Sequence, residues 1–142
     1  MSAGLLLVTH PGVGNALRET AEGILPRLPL AVATLSPGPH DSPETTLGRV
    51  EAAATTVESG DGVLVLTDAF GATPANIAIA VARGRGYPVI TGVNLPMLLR
   101  VLNYPELSVE SLARMALAAA RDGILQAVPP AIDPQGANHG VG

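Results

Sequence analysis

One histidine of the chain stands where chemistry is expected. The apolar residues Leu5–Val8 predict a short buried strand, and Thr9, His10, Pro11 and two glycines lead from it into a helical pattern. His10 is therefore expected at the carboxyl end of a first strand and the amino end of a first helix. Ligands bind at that edge in open α/β sheets. Because a neutral imidazole keeps one ring nitrogen unprotonated, His10 is a candidate nucleophile.

A carboxylate follows another buried strand directly. Val63–Thr67 is apolar up to its final threonine, which indicates a strand covered on both faces, and Asp68 comes next. If strands one and three are neighbours, about 4.8 Å apart, His10 and Asp68 meet at the sheet edge. A carboxylate that accepts from one ring N–H fixes the tautomer and stabilises positive charge during attack. The alternative is a histidine and an aspartate with separate structural roles at turns.

Helix starts beside both residues are suited to phosphoryl oxygens. Gly12 and Gly14 allow close approach of backbone amides to an anion at the first helix, or they only form a tight turn. Thr73 and Pro74 are predicted as N-cap and first residue of the third helix, and the Thr73 hydroxyl is a further donor or only a cap. Pro11 has no N–H, so such contacts must come from Gly12 onward or from the Thr73 side. Transfer from another phosphohistidine would require neither a cofactor nor a metal.

Composition excludes several classes of chemistry. The chain has 142 residues, no cysteine and no lysine, which rules out thiol catalysis, a P-loop and a Schiff base. A net charge of −4 without a basic run argues against nucleic-acid binding, and three widely separated histidines argue against a metal site. Although 47% of residues are hydrophobic, no apolar run approaches the roughly 18 residues of a membrane span, and the N-terminus does not resemble a signal peptide. We therefore expect a cytoplasmic protein.

The elements that must position this pair alternate along the chain. Their order predicts a doubly wound α/β three-layer sandwich with a mainly parallel sheet of order 2-1-3-4. A segment at 124–128 is a fifth strand that pairs within its chain, crosses to a dimer mate, or only extends the last helix. Residues 1–128 are expected to form one domain, and 129–142 a disordered tail. The predicted strands are 4–9, 30–35, 63–67 and 87–91, and the predicted helices are 12–25, 43–59, 75–83, 94–103 and 108–122.

Three segments together resemble a known family, the mannose-type enzyme IIA domains of the bacterial phosphoenolpyruvate-dependent sugar phosphotransferase system. They are LLVTHPG at 6–12, VLVLTDAFGATPAN at 63–76 and VITGVNLPML at 89–98. The resemblance implies that His10 accepts phosphate from phospho-HPr, that Asp68 orients the ring, and that a separate IIB chain is the acceptor. It also implies a homodimer with exchanged C-terminal segments, and contact with the membrane only through IIC and IID permease components.

Two departures from the family pattern concern the pocket, where Pro11 and Ala72 stand at positions that more often hold glycine. After the fourth strand, Asn94, Leu95 and Met97 are candidates for partner docking, with ordinary packing as the alternative. A receiver-like signalling domain does not fit, because acidic residues after strand one and a lysine are missing. A flavodoxin-like small-molecule or nucleotide-binding module without phosphotransfer remains a rival. The resemblance implies either a carrier in sugar uptake or a protein whose phosphorylation state serves regulation.

Overall fold

A computed structural model describes residues 2–130 as an alternation of four strands and five helices. All strands are parallel, in the order β2-β1-β3-β4, which confirms the predicted fold class. Val8, the last residue of β1, is in register with Leu35 at the end of β2 and with Thr67 at the end of β3. The elements are β1 Gly4–Val8, α1 Val13–Ile24, β2 Val32–Leu35, α2 Pro43–Val57, β3 Val63–Thr67, α3 Thr73–Arg85, β4 Val89–Ile90, α4 Leu95–Leu102 and α5 Val109–Asp122.

The two central strands carry apolar side chains on both faces, which explains why β1 and β3 are completely buried. Leu5, Leu7, Leu64 and Leu66 pack with α1, α4 and α5 on one side of the sheet. The alternate residues, which include Leu6 and Val8 from β1, pack with α2 and α3 on the other side. Helices on both faces make this a three-layer sandwich, and the rigid centre of the sheet carries the residues that precede His10 and Asp68.

Some element ends differ from the prediction. The start of α2 agrees with the predicted helix at 43–59, and Ser42 caps it, because its side chain accepts the Thr45 N–H. The predicted cap at Thr73 is wrong, since Ala72 is the N-cap of α3 and Thr73 is already its first helical residue. A proline has no amide to satisfy, so Pro74 fits anywhere in the first turn and does not fix the start of the helix. The edge strand β4 is only two residues long, against the predicted 87–91.

The segment after α5 does not form a strand in the single chain. Residues 124–130 have neither helical nor strand structure, and the side chains of Ile124, Leu125 and Val128 are exposed. Pairing within the chain and extension of the helix are therefore wrong, because α5 ends at Asp122. Exchange with a second subunit stays a prediction. Of the expected tail at 129–142, residues 131–142 lie outside the described part of the chain.

Candidate functional site

His10 and Asp68 meet at the carboxyl edge of the sheet. The ring nitrogen Nδ1 of His10 lies 2.7 Å from Asp68 Oδ2, and the backbone N–H of His10 donates to the same oxygen over 2.9 Å. The parallel register of β1 and β3 produces this contact, since Val8 and Thr67 are partners and the two side chains follow shortly after them. The sequence prediction that the two residues come together agrees with this geometry.

The His10 turn is held by hydrogen bonds to the hydroxyls of Thr9 and Ser36. Thr9 is completely buried, and its hydroxyl donates to the His10 carbonyl over 2.8 Å while it accepts the Gly14 N–H over 2.9 Å. The Ser36 hydroxyl, just after β2, donates to the same carbonyl over 3.2 Å. These contacts fix the backbone on both sides of the ring, so the imidazole is presented on a rigid support rather than on a loose loop.

The Asp68 carboxylate is held in its ionised form by the hydrogen bonds that it accepts from His10. Burial raises the pKa of Asp68, but the hydrogen bonds from the His10 amide and ring outweigh it, and the net effect holds the pKa below its usual value of 3.8. Asp68 is therefore ionised at neutral pH and can only accept hydrogen bonds. The Asp68 side chain is 13% exposed and that of His10 is 52% exposed, so the carboxylate is shielded while the ring faces solvent.

An ionised carboxylate determines which ring nitrogen is reactive. Because Asp68 accepts at Oδ2, Nδ1 of His10 carries the proton and Nε2 keeps its lone pair. The His10 side chain is half exposed, so the ring is open to an electrophile from solvent. The arrangement is that of an oriented nucleophile whose positive charge, once formed, is met by the carboxylate.

The glycines predicted as phosphoryl ligands are not equivalent. Gly12 is the exposed N-cap of α1 with a φ of 88°, and among residues 2–130 its amide makes no hydrogen bond. Gly14 is buried and its amide is already bonded to Thr9, so the structure does not support its predicted role at a phosphoryl group. Thr73 is exposed at the start of α3, in the loop region that follows Asp68.

Two of the three predicted docking residues, Asn94 and Met97, have structural roles. The Asn94 side chain caps α4 by accepting the Met97 N–H over 3.0 Å, and it donates to the Ala120 carbonyl over 3.1 Å. Met97 is completely buried in the core beside α5, so docking through its side chain is wrong. Leu95 is partly buried at the first position of α4. The apolar spacing of Met97, Leu98, Val101 and Leu102 already indicates a core-facing stripe.

A polar cleft of about 310 Å³ lies beside the His10 turn, and most of the residues that line it were missed by the sequence prediction. Arg49 reaches it from α2, where its guanidinium donates to Asp41 over 2.6 Å and to the Ser36 carbonyl over 3.3 Å. No pattern in the sequence indicates this position, because Arg49 is 39 residues from His10 and the two approach each other only through the β2–α2 connection. The cleft is lined by Pro11, Gly12, Asn15, Thr34, Leu35, Ser36 and Arg49.

The part of the chain from residue 2 to residue 130 has neither a cluster of metal ligands nor a helix suited to span a membrane. Within it, no group of three or more His, Cys, Asp or Glu side chains is placed to hold a metal ion. None of its helices has the length and apolar character needed to cross a membrane.

The fold and the site define a doubly wound α/β protein with a histidine–aspartate pair at the switch point between β1 and β3. Residues 4–117 match the family described as the PTS system fructose IIA component. The chain is also 30% identical over 127 residues to the PTS system mannose-specific EIIAB component of Escherichia coli strain K12. The match covers 87% of this chain and 39% of that relative, so the chain spans about two fifths of its length.

Solved structures share the fold. The mannose/sorbose specific IIA subunit of the phosphotransferase system from Enterococcus faecalis is 21% identical, with a TM-score of 0.78 over 94% of this chain and 100% of that one. A PTS IIA protein associated with the fucose utilization operon from Streptococcus pneumoniae is 21% identical, with a TM-score of 0.73 over 89% and 96% of the two chains. The chain belongs to the family of phosphotransferase system IIA components.

Proposed function

We propose that the chain is a phosphocarrier in which His10 takes a phosphoryl group from phospho-HPr and passes it to a IIB protein. The observation that carries the proposal is the 2.7 Å contact between His10 Nδ1 and Asp68 Oδ2, which leaves Nε2 free. In the accepting step the Nε2 lone pair forms a bond to phosphorus while the phosphorus–nitrogen bond of the donor breaks. The donor histidine departs with that electron pair, and Asp68 stabilises the positive charge on the His10 ring.

Backbone amides are the proposed ligands of the phosphoryl oxygens. Within residues 2–130, the amides of Phe70, Gly71 and Thr73 donate no hydrogen bond, and all three belong to the turn that starts at Asp68. The Gly12 amide on the β1 side is also unbonded in this part of the chain. These donors flank the residue pair from two sides, as an anion of charge about −2 requires. The Thr73 hydroxyl adds a further donor at the start of α3.

The proposed assembly follows from family membership. A IIA component works with HPr and a IIB partner, and we infer a cytoplasmic homodimer that meets the membrane only through IIC and IID permease components. The exposed side chains of Ile124, Leu125 and Val128 support an exchange of C-terminal segments, because these large apolar groups are 77%, 81% and 77% exposed in the single chain. We further propose that residues 1–128 are the phosphocarrier domain.

Intact mass after incubation with phosphoenolpyruvate, enzyme I and HPr tests the function. We expect one added phosphoryl group per chain, lost in acid and stable in base, as for other phosphohistidines. His10→Gln abolishes the addition, whereas the matched control His40→Gln, in the exposed loop before α2, retains it. A wild-type chain without the added mass contradicts the phosphocarrier function and favours the rival binding module. Retention of the label in His10→Gln contradicts the site.

A further inference from the structure

Phe70 is exposed beside the reactive pair. It is the only phenylalanine of the chain, and its 82% exposure is the highest among the large hydrophobic side chains of residues 2–130. Most large apolar residues of this chain are buried in the two cores. A single exposed apolar residue is common on protein surfaces, and what distinguishes Phe70 is its position two residues after Asp68.

The Phe70 turn is ordered rather than loose. Gly71 adopts a φ of 84°, the left-handed conformation that turns the chain toward α3. Ala72 donates its amide to the Ala69 carbonyl over 3.3 Å, and the Asn76 side chain donates to the Gly71 carbonyl over 3.4 Å. The ring is thus presented on a backbone that is already in place, which lowers the entropy lost when a partner binds.

Phe70 lies close enough to His10 to be covered by any protein that exchanges a phosphoryl group with His10. Two Cα steps put Phe70 at most about 8 Å from the Cα of Asp68, and the Asp68 carboxylate contacts the His10 ring. A protein interface of ordinary size buries about 800 Å² per partner, which corresponds to a footprint with a radius of about 16 Å. A donor whose phosphorus must come into bonding contact with Nε2 is centred on His10, and its footprint includes Phe70.

We propose that Phe70 is the anchor by which the phosphoryl donor protein docks on this chain, with its ring in an apolar depression on the donor. The inference rests on the proposed phosphocarrier function and adds to it a specificity-determining residue. Aromatic side chains near the centre of an interface provide a large share of the binding energy when the partner excludes water from them. Because the ring makes its main contacts only in the complex, it contributes to donor binding and not to the chemical step.

The test compares initial rates of phosphoryl transfer from phospho-HPr over a range of donor concentrations. Phe70→Ala keeps the backbone amide that we propose as a phosphoryl ligand and removes only the ring. It raises KM about 10- to 30-fold, and kcat changes much less than KM. Phe70→Trp retains the wild-type KM, because an aromatic ring is restored. The matched control is Ile24→Ala, which removes a 54% exposed apolar side chain at the far end of α1 and changes neither constant. Urea unfolding verifies that Phe70→Ala is folded, as expected for so exposed a ring.

Several outcomes overturn the anchor. They are a KM for Phe70→Ala equal to that of the wild type, an equal rise in KM for Ile24→Ala, or a fall in kcat at constant KM. Light scattering is measured on the same samples, and a change of oligomeric state in Phe70→Ala without a change in KM assigns the ring to a second copy of the chain instead. Failure of the function is recognised separately, because the wild-type chain then takes up no phosphoryl group at any donor concentration.

Discussion

Replacement of Asp68 by asparagine tests how the carboxylate acts, because it removes one charge and almost no volume. The His10 backbone N–H donates to Asp68 Oδ2, and a backbone N–H can only donate a hydrogen bond, so the atom opposite it must be an acceptor. The asparagine oxygen must therefore occupy the Oδ2 position, and the amide NH₂ takes the place of Oδ1, which is buried without a hydrogen-bond partner among residues 2–130. The ring stays oriented in the variant, but its acceptor is neutral.

The size of the effect follows from the loss of charge at one bond. A hydrogen bond to a charged group contributes about 1.5–3 kcal/mol and a neutral one about 0.5–1.5 kcal/mol, so the variant loses about 1–1.5 kcal/mol as positive charge develops on the ring. This loss corresponds to a transfer rate lower by about five- to twelvefold. A complete loss of transfer is not expected, since the oxygen at the Oδ2 position still accepts from Nδ1.

Rapid-quench measurement of phosphohistidine formation, at a saturating concentration of phospho-HPr, gives the rate directly. Asp122→Asn, at the exposed C-terminal end of α5, is the matched control and transfers at the wild-type rate. Transfer by Asp68→Asn at the wild-type rate refutes the electrostatic role of the carboxylate. A complete loss of transfer by Asp68→Asn, with an unchanged urea midpoint, refutes the view that the asparagine oxygen is sufficient to keep the His10 ring oriented.

Two further predictions concern the support of the site and the opposite edge of the sheet. Thr9→Val leaves the buried Gly14 amide without its acceptor, so the free energy of unfolding measured in urea should fall by about 1–3 kcal/mol and phosphoryl transfer should slow. Thr9→Ser keeps the hydroxyl and should therefore retain both the stability and the transfer rate. Equal stability of the valine and serine variants contradicts this role. At the other edge, hydrogen bonds from the Gly60 amide and the Tyr87 hydroxyl hold the pKa of Glu58 below 4.5. Glu58→Gln should lower the free energy of unfolding by about 1 kcal/mol at pH 7 and should not affect phosphorylation. Since the pKa of Glu58 is lower in the folded state, its contribution to stability is present at pH values well above the unfolded pKa of 4.5 and is lost as the pH falls through the folded pKa. A stability difference that does not shrink as the pH is lowered from 7 contradicts the assignment.

The order of the sheet and the position of the reactive pair were predictable from the sequence. Uninterrupted apolar runs at Leu5–Val8 and Val63–Thr67 indicated two strands buried on both faces, and right-handed crossovers left few arrangements for them. Because His10 and Asp68 follow the ends of these two strands by two residues or fewer, they lie at the same edge once the strands are neighbours. The same reasoning failed for β4, because an edge strand pairs on one side only and its length depends on contacts that residue types do not reveal.

The hydrogen-bond donors near His10 could not be predicted in the same way. The sequence shows that Pro11 lacks an amide, but not that Thr9 Oγ1 already accepts the Gly14 N–H. That contact depends on how the turn places a hydroxyl five residues before the amide. The first helix therefore offers fewer unbonded backbone amides than its glycines suggest. Most of the proposed contacts to phosphoryl oxygens accordingly come from the turn after Asp68.

The turn at residues 69–72 belongs to the proposed site, but its side-chain types do not indicate that role. Residues 69–72 are alanine, phenylalanine, glycine and alanine, and none of them has a polar side chain. What they contribute is backbone, since the amides of Phe70 and Gly71 are unbonded within residues 2–130. Backbone amides have no signature in residue type, and their availability is decided by which carbonyls and hydroxyls the fold brings to them. The nucleophile is therefore recognisable in the sequence, whereas the groups proposed to receive its phosphoryl oxygens are recognisable only in the folded chain.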